Sequence, residues 1–463
     1  MISQTRKNQR FLVSQKSMIS VIFKAYDVRG IYNENLTEEI AYNIGKAFVS
    51  FLKCKEVIVG YDMRESSLSL VKAFTEGANE QGADAVDIGL VSTDGLYFAS
   101  GLLKKPGVMF TASHNPAQYA GIKFCRESAI PINYDTGLKD IKEIIENSQY
   151  KKISIDKGKT ENKNILNEYV SHVRKFVDIE KLSELKIAVD AGNGMAGKVI
   201  PLVYDNLPIE VVPLYFELDG SFPNHPADPS KFENLKDLQK EVKEKNCDFG
   251  MAFDGDADRI FFIDDKGNVC NSSLISSLII KNILRKNPNE KIIHNVVCSK
   301  IVKDTIKKFS GEAVIERVGH SYIKDKMRLT NSIFACEHSA HYYFRDNFNA
   351  DSGIITSLII CDIVSKENKK LSQLLEEFKV YHTIEETNVK VEDKDKKIEE
   401  IELKYKDKAK SVSKLDGITI EFEDWWFNVR PSNTEPLLRL NLEANSKSLM
   451  NEKKEEIVKI MEN

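Results

Sequence analysis

The sequence predicts an α/β protein: three similar mixed-sheet α/β domains followed by a smaller α+β domain. Three observations carry this. Apolar runs of strand length alternate with segments of helical period, the mark of strand–helix–strand units. That alternation starts afresh twice, the first time after a polar, Lys-rich passage at residues 147–164. After Tyr381 the pattern gives way to a segment rich in Lys, Asp and Glu and then to short strands at hairpin spacing. At ~150 residues per domain, a chain of 463 residues with 42% hydrophobic and 29% charged content can bury several cores.

The elements follow in order. Residues 21–31 read as a strand ending in a Gly turn that carries Arg29. A helix runs over 37–52, with Thr37 as N-cap and Ile40, Ile44 and Phe48 on one face. Strands over 56–60 and 85–88 flank a helix over 67–81. Val108-Met109-Phe110 reads as a buried strand, and Thr111-Ala112-Ser113-His114-Asn115-Pro116 as the loop after it. Pro116 stops helix and ladder alike. Ser, Thr and Asn before Pro are turn formers, yet a serine at a strand end also stands where functional residues collect. Residues 147–164 read as a linker. The second round comprises a helix over 165–176, a strand over 186–190, a loop at 191–197 opening a helix, a strand over 210–214, a loop at 223–229, a helix over 232–245 and a strand reaching 253. The third comprises a helix over 272–285, strands over 292–297 and 313–317 around a helix over 301–309, a loop with Gly319 and His320, a strand over 333–336 ending at Glu337, and an apolar helix over 354–364. The last piece holds a helix within 390–414, strands over 417–421, 425–429 and 437–442, and a closing helix. The expected divisions are a disordered extension at 1–20 and domains at 21–158, 159–268, 269–378 and 379–463.

Bulk properties exclude some functions. A net charge of −4 gives no basic face, so nucleic acid is not an expected partner. Seven cysteines, odd in number and without the spacing of a metal clip, fit reduced thiols and a cytoplasmic protein. No apolar stretch approaches the ~20 residues of a membrane span, and the polar, basic first 17 residues have no secretory pattern.

The sharpest chemical signal is Asp254-Gly255-Asp256-Ala257-Asp258-Arg259. Residues two apart in an extended segment point the same way, so three carboxylates can face one point, with small residues between them. Such crowding of like charge calls for a hard divalent cation; an acidic turn is the plainer alternative. An EF-hand is excluded, because its loop needs Gly where Arg259 stands. Mg²⁺ completes its shell with water and phosphate oxygens, and a phosphate on Ser113, with nearly two negative charges, would fit. Arg430-Pro431-Ser432-Asn433-Thr434-Glu435-Pro436 offers a guanidinium fork and turn donors to an anion, or is a capped turn between strands. Glu337-His338-Ser339-Ala340-His341 sets a carboxylate and a hydroxyl at i and i+2, able to grip vicinal sugar hydroxyls, or is an ordinary buried polar turn. Gly192-Asn193-Gly194-Met195-Ala196-Gly197 matches G-x-G-x-x-G, with Glu217 and Asp219 at about the ~20-residue distance of a dinucleotide fingerprint. An NAD-dependent oxidoreductase is therefore a rival reading, although a tight strand–helix turn needs the same glycines. A serine hydrolase lacks its G-x-S-x-G elbow, and neighbours such as Ser113 and His114 are not expected to face each other.

Together these motifs resemble the α-D-phosphohexomutase superfamily, and within it the phosphomannomutase/phosphoglucomutase group. The resemblance runs from about Phe23 to the end. It rests on the Phe23–Gly30 opening, T-A-S-H-N-P, D-G-D-A-D-R, Val318-Gly319-His320, Glu337 with Ser339, and R-P-S-N-T-E-P, all in the family's order. It implies four domains, the last TATA-binding-protein-like, each giving one loop to the active site. It implies Ser113 as the phosphoserine, and Asp254, Asp256, Asp258 and Ser113 as the Mg²⁺ site. Glu337 and Ser339 would hold the sugar, with His320 on the third domain's loop and His114 near the phosphate. Arg430, Ser432, Asn433 and Thr434 would hold the phosphate that is not reacting. Arg29, Lys123, Arg259 and His341 match positions around the reacting groups, with the general base open among Lys123, His341 and Arg29. The implied reaction shifts phosphate between the 1- and 6-positions of mannose or glucose through hexose 1,6-bisphosphate, which also activates the enzyme. The implied protein is a cytoplasmic monomer or weak homodimer acting on a small sugar phosphate, without nucleic acid or membrane. A phosphoglucosamine mutase is the near rival, but that branch has S-G-T-E-P where S-N-T-E-P stands here. Two departures are C-E-H-S-A-H for the family's G-E-M-S-G-H, and Val297 where the family often has lysine, with Lys300 as a possible substitute.

Overall fold

The computed structural model describes residues 18–432 and 436–462. The chain divides into two compact units. One comprises the residues up to Val269 with Tyr343–Lys370, the other Cys270–Tyr342 with the residues from Leu371 on.

The first unit holds two mixed sheets. In chain order the first of them is built with β1 (Val28–Ile31), α1 (Glu38–Leu52), β2 (Glu56–Tyr61), α2 (Ser67–Glu80), β3 (Asp84–Leu90), α3 (Thr93–Leu103), β4 (Gly107–Phe110), β5 (Tyr119–Cys125), the helix Lys139–Glu146 and β6 (Thr160–Asn162). The strands lie in the order β1-β5-β4-β2-β3-β6. Pairings β2/β3, β2/β4 and β3/β6 are parallel, whereas β5 runs antiparallel to β1 and β4. The second sheet contains β7 (Leu185–Asp190), β8 (Ile209–Leu214), β9 (Phe249–Phe253) and β10 (Ile260–Ile263), in the order β10-β9-β7-β8, with only β9/β10 antiparallel. A hairpin joining Tyr343 and Phe344 to Ala350–Asp351 leads into the apolar helix Gly353–Glu367.

Local chemistry explains the clearest elements. Thr37 caps α1, its hydroxyl accepting the Ile40 N–H. Helices α1 and α2 cross at Gly45 and Gly77, where a β-carbon would stand 2.1 Å from the Phe74 and Tyr42 carbonyl oxygens. Phe48, Phe74, Phe110 and Phe124 fill the space between these helices and the sheet.

In the second unit β11 (Lys291–Asn295) lies between β12 (Glu312–Glu316) and β13 (Phe334–Cys336), all parallel. The helices Ser272–Lys286 and Lys300–Lys308 are capped by Asn271 and Ser299. The last part is an antiparallel sheet containing Ile418–Glu421, Trp425–Pro431 and Leu437–Ala444, packed on helices Lys394–Tyr405 and Lys447–Glu462 around Ile401, Phe427, Leu440 and Ile457.

The sequence expectation of α/β units with an α+β end therefore holds, with corrections inside elements. Residues 18–22 are helical and the strand covers only Val28–Ile31, because Phe23 bridges back to Val28 and closes a turn. The expected linker contains β6, an edge strand whose side chains are all exposed and so leave no apolar pattern. The charged segment 390–414 is a helix only over Lys394–Tyr405 and then a strand at Ser411–Ser413. Helix α3 was not anticipated: buried on every side over Thr93–Gly101, it has no amphipathic stripe to read. No helix among the described residues is long and apolar enough to cross a membrane.

Candidate active site

Ser113 sits just after β4 with φ of 49°, in the left-handed region that non-glycine residues seldom adopt. Its neighbours hold it there. The Ser113 N–H donates to Thr111 Oγ1 at 2.9 Å, and the Asn115 N–H closes a turn on the Ala112 carbonyl at 3.0 Å. From the loop after β2, buried Arg64 donates to four carbonyls: Nη2 to Ser113 at 2.7 Å and Asn115 at 2.6 Å, Nη1 to Pro116 at 2.9 Å and Tyr119 at 3.2 Å. The Arg64 guanidinium also lies 5.0 Å from the Phe222 ring centroid. Arg29, paired with Asp27 at 2.8 Å, donates to Asn115 Oδ1 at 2.7 Å and to the Ala112 carbonyl.

The acidic loop joins β9 to β10, and its three carboxylates are buried with oxygens within 4.8 Å of one another. Ser113 Oγ donates to Asp254 Oδ2 at 2.6 Å. Arg259 binds the same carboxylate, Nε to Oδ2 and N–H to Oδ1, both at 3.1 Å. The antiparallel register sets Lys123 opposite Met109, beneath the serine loop. Its ammonium donates to Asp256 at 2.8 Å and Asp258 at 2.5 Å. Thr93, at the start of α3, donates to Asp256 as well. Gly255 lets the loops approach, since a β-carbon there would lie 2.6 Å from the Ser113 carbonyl oxygen.

Electrostatics follow from this crowding. Burial, then repulsion from Asp258 and Asp256, pushes Asp254 up to about 7. Burial alone would depress Lys123, but Asp256 and Asp258 outweigh it and hold the ammonium well above its ordinary range. Burial, followed by the charges of Arg259 and Arg29, keeps His114 well below its usual value, so the imidazole is neutral at pH 7. Its Nδ1 lies 3.2 Å from Ser113 Oγ, contrary to the expectation that these neighbours face apart; the left-handed turn at Ser113 brings them together. A divalent cation fits the residues present. Asp256 Oδ1 is buried without a hydrogen-bond partner among the described residues, and three clustered acceptor-only carboxylates suit a hard ion.

In the second unit a tight turn follows β13, with the Glu337 N–H donating to the His341 carbonyl at 3.0 Å and Ala340 at φ of 65°. Glu337 Oε1 accepts from Asn295 at 3.2 Å and from the Gly319 N–H at 3.0 Å, while Oε2 lies 3.4 Å from His341 Nδ1. Ser339 Oγ is 2.9 Å from that same nitrogen. The rings of His320 and His341 stand 6.5 Å apart. Glu337, Ser339, His341 and His320 are thus brought together, with Asn295 and Gly319 fixing the carboxylate. The His338 carbonyl accepts from Ser272 at 2.7 Å, and burial lowers its imidazole. Arg430 pairs with Glu386 at 3.0 Å, and buried Ser432 donates its N–H to the Leu437 carbonyl at 2.9 Å. Asn433 and Thr434 lie outside the described residues. Val297 is buried, and the Lys300 ammonium packs 5.6 Å from the Tyr381 ring centroid.

The glycine-rich loop at Gly192–Gly197 is built for packing. β-Carbons at Gly194 and Gly197 would stand 2.7 Å from the Gly255 and 2.2 Å from the Phe216 carbonyl oxygens. The N–H groups of Gly192, Gly194, Met195 and Gly197 are committed to Asp190, Ala191, Gly255 and Gly194, which withdraws the donors a pyrophosphate would need. Sequence reasoning missed Arg64, Thr93, Asn295, Glu386 and Arg439. Only Arg64 left a trace, as a lone arginine after a strand; the others are single polar residues whose partners are distant in the chain.

The phosphoglucomutase/phosphomannomutase family matches along the chain: alpha/beta/alpha domain I at residues 20–152, domain II at 167–267, domain III at 271–381 and the C-terminal domain at 386–460. A phosphomannomutase of Escherichia coli is 38% identical over 449 residues, 95% of this chain and 98% of that protein. One of Methanocaldococcus jannaschii is 39% identical over 442 residues, 94% and 96% of the two chains. A crystal structure of a phosphoglucomutase/phosphomannomutase family protein from Burkholderia thailandensis superposes with a TM-score of 0.88 at 30% identity, covering 96% of this chain and 97% of that one.

Proposed function

This chain belongs to the phosphoglucomutase/phosphomannomutase family and is a phosphohexose mutase, and from that premise we propose that it shuttles phosphate between the 1- and 6-positions of mannose or glucose through phosphorylated Ser113. The observation that carries the reading is the 2.6 Å bond from Ser113 Oγ to Asp254 within a buried carboxylate trio. A hydroxyl so placed is poorly suited to acyl chemistry and well suited to bearing a phosphate beside a cation.

The steps assigned to the residues are these. A hydroxyl of the sugar phosphate attacks the phosphorus on Ser113; the new P–O bond forms as the bond to Oγ breaks. Positioning and charge neutralisation dominate such transfers. Mg²⁺ held by Asp254, Asp256, Asp258 and the phosphate on Ser113 would neutralise charge developing on the serine oxygen. The attacking hydroxyl gives its proton to a base, Lys123, His341 or Arg29, and the leaving Oγ takes up a proton, with His114 Nδ1 3.2 Å from it. Arg29, Arg259 and Lys123 set positive charge beside the carboxylates and the serine loop. Glu337 and Ser339 grip sugar hydroxyls, with His320 and His341 beside them, and Arg430, Ser432, Asn433 and Thr434 hold the idle phosphate. Hexose 1,6-bisphosphate then returns its other phosphoryl group to Ser113, so it serves both as intermediate and as activator. We read the enzyme as cytoplasmic, a monomer or weak homodimer, with neither nucleic acid nor membrane as partner.

The test is a coupled assay with mannose 1-phosphate and with glucose 1-phosphate, each with a trace of hexose 1,6-bisphosphate, alongside intact mass. Both sugars should turn over, and the protein should gain one phosphate that Ser113→Ala neither gains nor needs for folding. Turnover by Ser113→Ala at close to the wild-type rate would sink the assignment.

A further inference from the structure

Arg430 and Arg439 are direct cross-strand partners in the antiparallel pair of Trp425–Pro431 and Leu437–Ala444. Like charges facing each other on a ladder repel. Glu386 lies between them. Its Oε2 accepts from Arg430 Nη2 at 3.0 Å and Asn441 Nδ2 at 3.2 Å, and its Oε1 from Arg439 Nη1 at 2.9 Å. Burial would raise this carboxyl, but Arg430 and Arg439 outweigh it and keep it below the usual range, so it is ionised at neutral pH. The Nε of each arginine is buried without a hydrogen-bond partner among the described residues. Glu386 thus occupies one edge of both guanidiniums and leaves another donor on each unused.

We propose that Glu386 is a positioning residue and a built-in counter-anion of the phosphate-binding loop: it holds Arg430 and Arg439 side by side and competes with substrate phosphate for them. The inference rests on Arg430 holding the phosphate that is not reacting. The reaction supplies the need. Within each turnover the bisphosphate must give up this loop with one end and return with the other. Two uncompensated guanidiniums would grip a phosphate dianion and release it slowly. Two arginines and one glutamate leave a cluster of net charge +1, and departing phosphate leaves the arginines already paired. Tighter binding of every bound form would lower KM without raising kcat.

The experiment uses the full-length enzyme with Mg²⁺, measuring kcat and KM for the sugar phosphate and the competitive Ki of inorganic phosphate. Glu386→Gln keeps the shape and removes the charge. It should lower both KM and Ki by roughly three- to tenfold, the scale of a partly buried ion pair, and lower kcat. Glu386→Ala removes the brace together with the charge, so its Ki should also fall but by less than in Glu386→Gln, and it decides if Glu386→Gln fails to fold. Glu386→Asp keeps the charge and should leave Ki within about twofold of wild type. An unchanged or raised Ki in Glu386→Gln, or an equal fall in Glu386→Asp, overturns the proposal. Arg430→Gln separates the two layers, because it must raise Ki if the loop holds phosphate. A raised Ki there with no fall in Glu386→Gln sinks only the role of Glu386; no rise in Arg430→Gln sinks the loop reading and this inference with it.

Discussion

Ser113 is held in a left-handed turn by a residue that never touches its hydroxyl. Arg64 donates to the carbonyls of Ser113, Asn115, Pro116 and Tyr119, and leaving the buried one, at Ser113, unmet costs about 1–3 kcal/mol. Arg64→Gln should therefore lower the melting temperature and reduce kcat by about 100-fold, the effect expected of an ångström-scale misplacement of a reacting group. Lysine, a compact ammonium without the planar fork, should recover only part. If Arg64→Gln melts like the wild type and turns over as fast, the bracing role is wrong. A second buried residue sets a pH dependence. Asp94 in α3 accepts from Ser92, Tyr169 and Ser352, yet burial wins and pushes its carboxyl up to about 6 from an ordinary 3.8. Because the folded state binds this proton more tightly than the unfolded chain, the contribution of Asp94 is fully present below pH 3.8 and is lost as pH rises through about 6. The loss is at most about 3 kcal/mol. Melting curves from pH 4 to 7 should fall less steeply for Asp94→Asn than for wild type; equal slopes would refute the shift.

At the scale of elements, α1 and α2 touch backbone to backbone through Gly45 and Gly77. Alanine in a helix interior ordinarily gains about 1 kcal/mol over glycine. At Gly45 the added carbon would meet the Phe74 carbonyl, which cannot rotate away, so overpacking should prevail by about 1–3 kcal/mol. Gly45→Ala is expected to lower the melting temperature, and a rise would mean that the helices part cheaply. Elements with an amphipathic stripe or a capping residue, such as α1 with Thr37, were legible from sequence. Helix α3, buried on every side, and β6, exposed on every side, were not. Periodicity reports a boundary between core and water, and neither element lies on one.

At the scale of the molecule, metal should couple activity to stability. A cation that binds the folded carboxylate trio and not the unfolded chain stabilises by mass action, about 2.7 kcal/mol at a hundredfold excess over Kd. EDTA should abolish turnover, and Mg²⁺ should restore it while raising the melting temperature; a variant lacking Asp256 should lose both responses. Full turnover in EDTA would exclude the metal role. The fold class, the family and the three short motifs around Ser113, Asp254 and Glu337 were legible before folding, because each motif is contiguous and its chemistry lies in residues one or two apart. Tertiary structure alone decided which distant groups serve them. Lys123 reaches Asp256 and Asp258 through the register of β4 with β5, and Asn295 meets Glu337 across neighbouring parallel strands. Arg64 and Glu386 find their partners 49 and 44 residues away. A single buried polar residue carries no period and no spacing, so its purpose becomes visible only once the chain has folded and shown what it must neutralise.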